Sequence, residues 1–131
     1  MKKIGILNSE ISEVIGKLGH TDQIVICDSG LPIPDHVKRI DLALKEGVPT
    51  FLETLETVLL EMQVESAIVA KEMAVVSPDL EASMKETLGK VDLVTVSHEE
   101  FKELTKKAKA IIRTGEFTPY ANVILQAGVI F

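Results

Sequence analysis

Only three side chains in this 131-residue chain carry a proton that is mobile near neutral pH without help from the fold: His20, His36 and His98. His20 lies in Gly19-His20-Thr21-Asp22, just after a stretch with helical periodicity. An imidazole there is either a general acid/base or a partner for the helix C-terminal dipole. None of the three histidines has metal-ligand spacing to another histidine or to the lone Cys27. G-x-G-x-x-G, G-x-x-x-x-G-K-[ST] and G-x-S-x-G are all absent, so nucleotide loops and a nucleophile elbow have no support. Proton chemistry without a cofactor or metal, or plain binding, is what remains.

Other polar residues extend the candidate site. Asp28 follows the apolar run Gln23-Ile24-Val25-Ile26-Cys27 and precedes Ser29-Gly30-Leu31-Pro32-Ile33-Pro34. A carboxylate just past a buried strand accepts hydrogen bonds from ligand hydroxyls, or holds its own loop as an Asx turn. Cys27 reads as a small core residue. His98 and Lys102 are four apart and share a helix face, which is either a site or a solvated surface. Tyr120 is the only tyrosine, and Asn122 follows two residues on. If that segment is extended, phenol and carboxamide point the same way. Arg113 and Glu116 are expected to pair structurally, with each other or across a subunit.

The elements that must position these groups alternate between helix and strand. Ile11, Val14, Ile15 and Leu18 form one apolar stripe, capped by Asn8 or Ser9 and ended at Gly19. Gln23–Cys27 is a strand buried on both faces, and Val37–Leu42 a second. Thr50 and Glu53 have capping-box spacing before a helix reaching about Met62. Ser66–Val69 is a strand. Ser77 with Pro78 opens a helix to about Leu88. Val91–Val96 is a strand, and Ser97 with Glu100 starts a helix to about Lys106. Ala108–Arg113 and Asn122–Gln126 complete the strands. This alternation predicts one α/β domain over residues 1–131, with helices on both sheet faces.

Composition narrows the partners. The net charge is −6, which gives no electrostatic reason to seek phosphate backbones, and one cysteine makes no internal disulfide. A reduced, cytoplasmic setting is expected. The longest uncharged stretch, Phe117–Phe131, has 15 residues and is too short to span a bilayer. With 46% hydrophobic residues, the chain is expected to bury apolar surface between subunits, the C-terminal run Val123–Phe131 included.

Taken together, six segments resemble one family. They are Gly5-Ile6-Leu7-Asn8-Ser9, Leu18-Gly19-His20-Thr21-Asp22, Asp28 to Pro34, Ser97-His98-Glu99-Glu100-Phe101-Lys102, Ile112 to Asn122, and Gln126 to Phe131. In this order, end to end, they resemble the D-ribose pyranases that accompany bacterial ribose uptake. The resemblance implies a three-layer α/β/α sandwich around a mostly parallel or mixed sheet. It implies interconversion of the β-pyranose and β-furanose forms of D-ribose, and a homodecamer of two pentameric rings with sites near subunit contacts. His20 would then be the proton donor, and Asp28, His98, Tyr120, Ala121 and Asn122 would bind the sugar, with Lys102 beside them. No cofactor, metal, nucleic acid or membrane enters. Fucose mutarotation on the same fold, a non-catalytic sugar-binding accessory and a ligand-free structural oligomer are the competing expectations.

Overall fold

The computed structural model describes residues 1–131. Its helices are α1 (Ser9–Lys17), α2 (Phe51–Leu59), α3 (Glu72–Val76), α4 (Pro78–Leu88) and α5 (His98–Leu104), the last continued by a 3-10 turn at Thr105–Lys107. Its strands are β1 (Gln23–Cys27), β2 (Lys38–Asp41), β3 (Val64–Ala70), β4 (Asp92–Val96), β5 (Ala110–Arg113) and β6 (Val123–Ala127). They form one sheet in the order β2-β5-β1-β6-β3-β4. β2, β5 and β1 are mutually parallel, as are β3 and β4, while β6 is antiparallel to both β1 and β3. The sheet is therefore mixed, with five strands running one way and β6 the other. The reversal follows from the connection after β5. Residues 114–122 include no helix, so the chain does not cross back over the sheet as a parallel connection requires.

Alternation along the strands divides the core. Ile24, Ile26, Ala110, Ile112, Val123 and Leu125 face α1, α2 and α4 in a cluster of 21 buried residues. Val25, Cys27, Ile111 and Ile124 face Phe101 of α5 in a cluster of eight. Three layers result, but the second face is thinly covered. Burial pushes the Cys27 thiol up to about 12, with the charge of Asp28 adding to it, as suits a core residue and not a nucleophile.

The expected caps are present. Asn8, not Ser9, caps α1 by accepting the Ile11 N–H at 2.9 Å. Thr50 and Ser97 each accept the N–H three residues on, both at 3.1 Å. Three details differ from the sequence expectation. α2 stops at Leu59, where the Leu60 N–H tightens onto Thr57, and the chain turns to bury Met62 and Val64. The five-residue α3 is too short to leave a periodic signal. Gly19 follows the α1 C-cap without taking a left-handed conformation; Thr21 takes it instead, at φ 73°. No helix is long and apolar enough to cross a membrane.

Candidate active site

Because five strands share a direction, their carboxyl ends line one edge of the sheet, joined there by the start of β6. Ligand sites of open α/β sheets lie at this edge. Asp28 leaves β1 here. Its N–H donates to Asn122 Oδ1 at 2.9 Å, and Asn122 Nδ2 donates back to Asp28 Oδ2 at 3.1 Å. Asp28 Oδ1 accepts the N–H groups of Gly30 (3.0 Å) and Leu31 (2.9 Å). One oxygen thus holds the Asx turn, and the other is tied to Asn122. Burial pushes the Asp28 carboxyl up, against the hydrogen bonds from Gly30, Asn122 and Leu31 and the nearby charge of His98.

His98 opens α5 and is half-buried. It stacks on Phe101, with ring centroids 6.4 Å apart and planes at 11°. Tyr120 meets it edge-on at 5.0 Å and 82°. The His98 N–H donates to Glu72 Oε2 at 2.7 Å. His98 Nδ1 and Glu72 Oε1 are both buried without a hydrogen-bond partner, a costly state in a folded chain. Glu72 carries no signal in the sequence, because α3 is invisible there and its partner lies 26 residues on. Lys102 lies one turn beyond His98, its ammonium 2.7 Å from Glu99.

The segment carrying Tyr120 is not extended, so the condition for Tyr120 and Asn122 to share a face is not met. Pro119 and Tyr120 form a turn with Tyr120 at φ 63°, and the Asn122 N–H closes onto Tyr120 O at 2.8 Å. The turn still serves the site, since Tyr120 reaches His98 while the buried Asn122 holds Asp28. A left-handed tyrosine costs energy and persists because its surroundings fix it. Ser77 Oγ donates to Pro119 O at 2.8 Å, and the Ser29 N–H to Glu116 O at 2.9 Å. Ala121 is fully buried, backbone included.

Arg113 and Glu116 do not pair with each other. Arg113 Nη1 lies 3.1 Å from both oxygens of Asp41, and its Nε donates to Ser29 O. Glu116 instead caps α2 by accepting the Phe51 N–H at 3.0 Å, and it accepts from Thr118. Burial raises its carboxyl, but hydrogen bonds from Phe51, Thr118 and Phe117 together hold it low. Between them Gly115 packs so closely that a Cβ would collide with Lys45 O and lie 2.6 Å from Val48 O. His36 Nε2 donates to Lys106 O at 2.7 Å, a loop-to-turn tether.

His20 is not in this cluster. It lies at the opposite, amino edge, before β1, whose five residues span about 16 Å. Its Nε2 is 2.9 Å from Glu65 Oε2, and its side chain is 52% exposed. Hydrogen bonds from Gln126 and from His20 hold the Glu65 carboxyl low. The adjacent Thr21 N–H donates to Ala127 O and the Ala127 N–H to Asp22 O, which pins the turn. The chain therefore carries two separate clusters of candidate residues on opposite edges of the sheet. None of the five larger hollows, of 220 to 570 Å³, is lined by Asp28, His98, Tyr120, Asn122 or His20.

The sequence matches the model of the RbsD / FucU transport protein family over residues 1–130. It is 56% identical over 131 residues to the D-ribose pyranase of Clostridium botulinum (strain Eklund 17B / Type B), covering all of both chains. It is 58% identical over 139 residues to the D-ribose pyranase of Vibrio vulnificus (strain YJ016), again covering both completely. The fold superimposes on Bacillus subtilis RbsD complexed with D-ribose with a TM-score of 0.97, at 53% identity and full coverage of both chains. The fucose mutarotase of Streptococcus pneumoniae, in complex with L-fucose, is more distant, at TM-score 0.80, 27% identity and 95% of each chain.

Proposed function

The chain belongs to the RbsD / FucU transport protein family, and from that premise we propose that it is a D-ribose pyranase, interconverting β-D-ribopyranose and β-D-ribofuranose. The observation that carries this is full-length identity of 52–58% to D-ribose pyranases, against 27% to a fucose mutarotase. Both sugar forms are hemiacetals. Opening takes a proton from the anomeric hydroxyl and delivers one to the ring oxygen. Closure through the 4-hydroxyl in place of the 5-hydroxyl then gives the furanose, with no net change in protons. His20 is the proton donor to the ring oxygen. Asp28, Asn122, His98 and Tyr120 hold the sugar, with Ala121 part of the same binding segment and Lys102 at the margin, so that the open aldehyde is kept in a closing geometry.

The two edges are too far apart to serve one ribose within one chain. A complete site forms when the amino edge of one subunit, bearing His20, meets the carboxyl edge of its neighbour. A homodecamer of two pentameric rings provides such contacts. Support comes from large apolar side chains left in solvent, among them Val75, Val76, Val94, Phe117, Ile130 and Phe131. Residues 1–131 act as a single ribose pyranase-like domain, in the cytoplasm, where Cys27 stays reduced. Ribose and fucose supplied separately, with ring exchange followed by saturation-transfer NMR, test the assignment. Exchange of fucose alone, or ribose binding without exchange, would overturn it.

Two further outcomes are expected. Val123, Ile124, Leu125 and Ala127 are in the chain's own core, whereas Val129, Ile130 and Phe131 are 38%, 87% and 100% exposed. Deleting Val129–Phe131 should therefore spare the subunit fold while weakening assembly and exchange together, read by analytical ultracentrifugation and NMR. Asp28→Asn sets an amide N–H against either Asn122 Nδ2 or the N–H groups of Gly30 and Leu31. Ribose affinity in calorimetry should fall by about 1.5–3 kcal/mol, roughly 10- to 150-fold. Unchanged affinity would leave Asp28 a turn residue only.

A further inference from the structure

At the amino edge the hydrogen bonds run in one direction. Gln23 Nε2 donates to Gln126 Oε1 at 3.0 Å, and Gln126 Nε2 donates to Glu65 Oε1 at 2.8 Å. The other carboxylate oxygen, Oε2, lies 2.9 Å from His20 Nε2. An ionised carboxylate only accepts, so His20 Nε2 carries its hydrogen toward Glu65. His20 Nδ1 makes no hydrogen bond within the chain, and the side chain is half in solvent. The other carboxylate nearby, Asp22, is committed to the Gly19 N–H at 2.8 Å and lies 3.9 Å from Lys109. Glu65 is the carboxylate that hydrogen-bonds the imidazole.

We propose that Glu65, braced by Gln126 and Gln23, is the positioning residue for His20: it fixes the hydrogen on Nε2, leaves Nδ1 as the nitrogen that exchanges a proton with the sugar, and balances the charge of the imidazolium between the two transfers. The inference rests on His20 being the proton-transfer group. Nδ1 takes the anomeric proton, and the imidazolium so formed returns a proton from Nδ1 to the ring oxygen. Nε2–H stays bonded to Glu65 throughout, so atoms and charge balance without a co-reactant. A carboxylate behind an imidazole holds its tautomer and stabilises its protonated form in this way. The arrangement is rigid where it matters, since Gln126 is on β6, Glu65 on β3 and Gln23 on β1, three adjacent strands.

The test uses the assembled enzyme and two variants, Glu65→Ala and Glu65→Gln, with His20→Ala measured beside them. Glu65 is exposed within the chain, so both variants should fold, and analytical ultracentrifugation selects the assembled form for the assay. In both, the maximal exchange rate should fall at least about tenfold, short of the ~10²–10⁴-fold that acid–base help supplies in full, with ribose KM changed less than about twofold. Added formate should restore part of the rate in Glu65→Ala, whereas chloride at equal ionic strength should not. A wild-type rate in either variant, a loss confined to KM, or no recovery with formate would overturn the role of Glu65. If His20→Ala loses exchange in that case, the reading of His20 survives alone. If His20→Ala exchanges ribose at the wild-type rate, both fall.

Discussion

Replacing His20 by alanine is expected to lower pyranose–furanose exchange by roughly 10²–10⁴-fold, toward the rate in solution, while leaving the fold, the assembly and ribose binding in place. The fold should persist because the imidazole is half in solvent and its one hydrogen-bond partner is the exposed Glu65. The turn that carries it is held by backbone bonds between Thr21, Asp22 and Ala127, which an alanine at position 20 keeps. Binding should persist because Asp28, Asn122, His98 and Tyr120 form their own bonded cluster at the other edge. The measurement is saturation transfer between the anomeric protons of the two ring forms, with calorimetry for affinity. A variant that binds and still exchanges ribose at the wild-type rate would remove His20 from the chemistry. His98, with its buried unpartnered Nδ1, would be the next candidate.

Mixing two crippled proteins should restore activity that neither has. In the proposed assembly a site takes His20 from one chain and Asp28 from another. His20→Ala and Asp28→Asn subunits, dissociated and reassembled together at equal amounts, should regain exchange in about one quarter of sites if mixing is random. Each intact site joins the His20 of an Asp28→Asn chain to the Asp28 of a His20→Ala chain. The assay is run at ribose concentrations well below the wild-type dissociation constant, where both parents are slow. No recovery above the average of the parents, despite mass-spectrometric proof of mixed oligomers, would mean that each site draws on one chain only.

The sequence made the local features legible and left the long-range ones hidden. β1 could be read to the residue because an unbroken apolar run bounded by polar residues has few alternatives. The caps at Asn8, Thr50 and Ser97 are local chemistry, so short-range spacing reveals them. The direction of β6 could not be read, since it depends on which strands it inserts between. Arg113 and Glu116 looked like neighbours three apart, but the strand end at Arg113 and the packing of Gly115 send them to Asp41 and to the start of α2. His20 and Asp28 are only eight residues apart, yet a strand between them puts one at each edge of the sheet. Glu65 was missed altogether, because a single glutamate 45 residues from its histidine carries no pattern.

The placement of the half-sites on opposite edges has a stoichiometric consequence. In the proposed assembly an isolated subunit owns one of each half and no complete site. An open string of n proposed subunits has n − 1 sites, with an unused His20 at one end and an unused Asp28–Asn122 pair at the other. Only closure of the ring makes sites equal to subunits. Activity per chain should then rise with string length, and the final closing contact should add a site without adding a subunit. On dilution, specific activity would decline with the loss of contacts and not with the unfolding of chains, so a preparation of wholly folded monomers would still be inert.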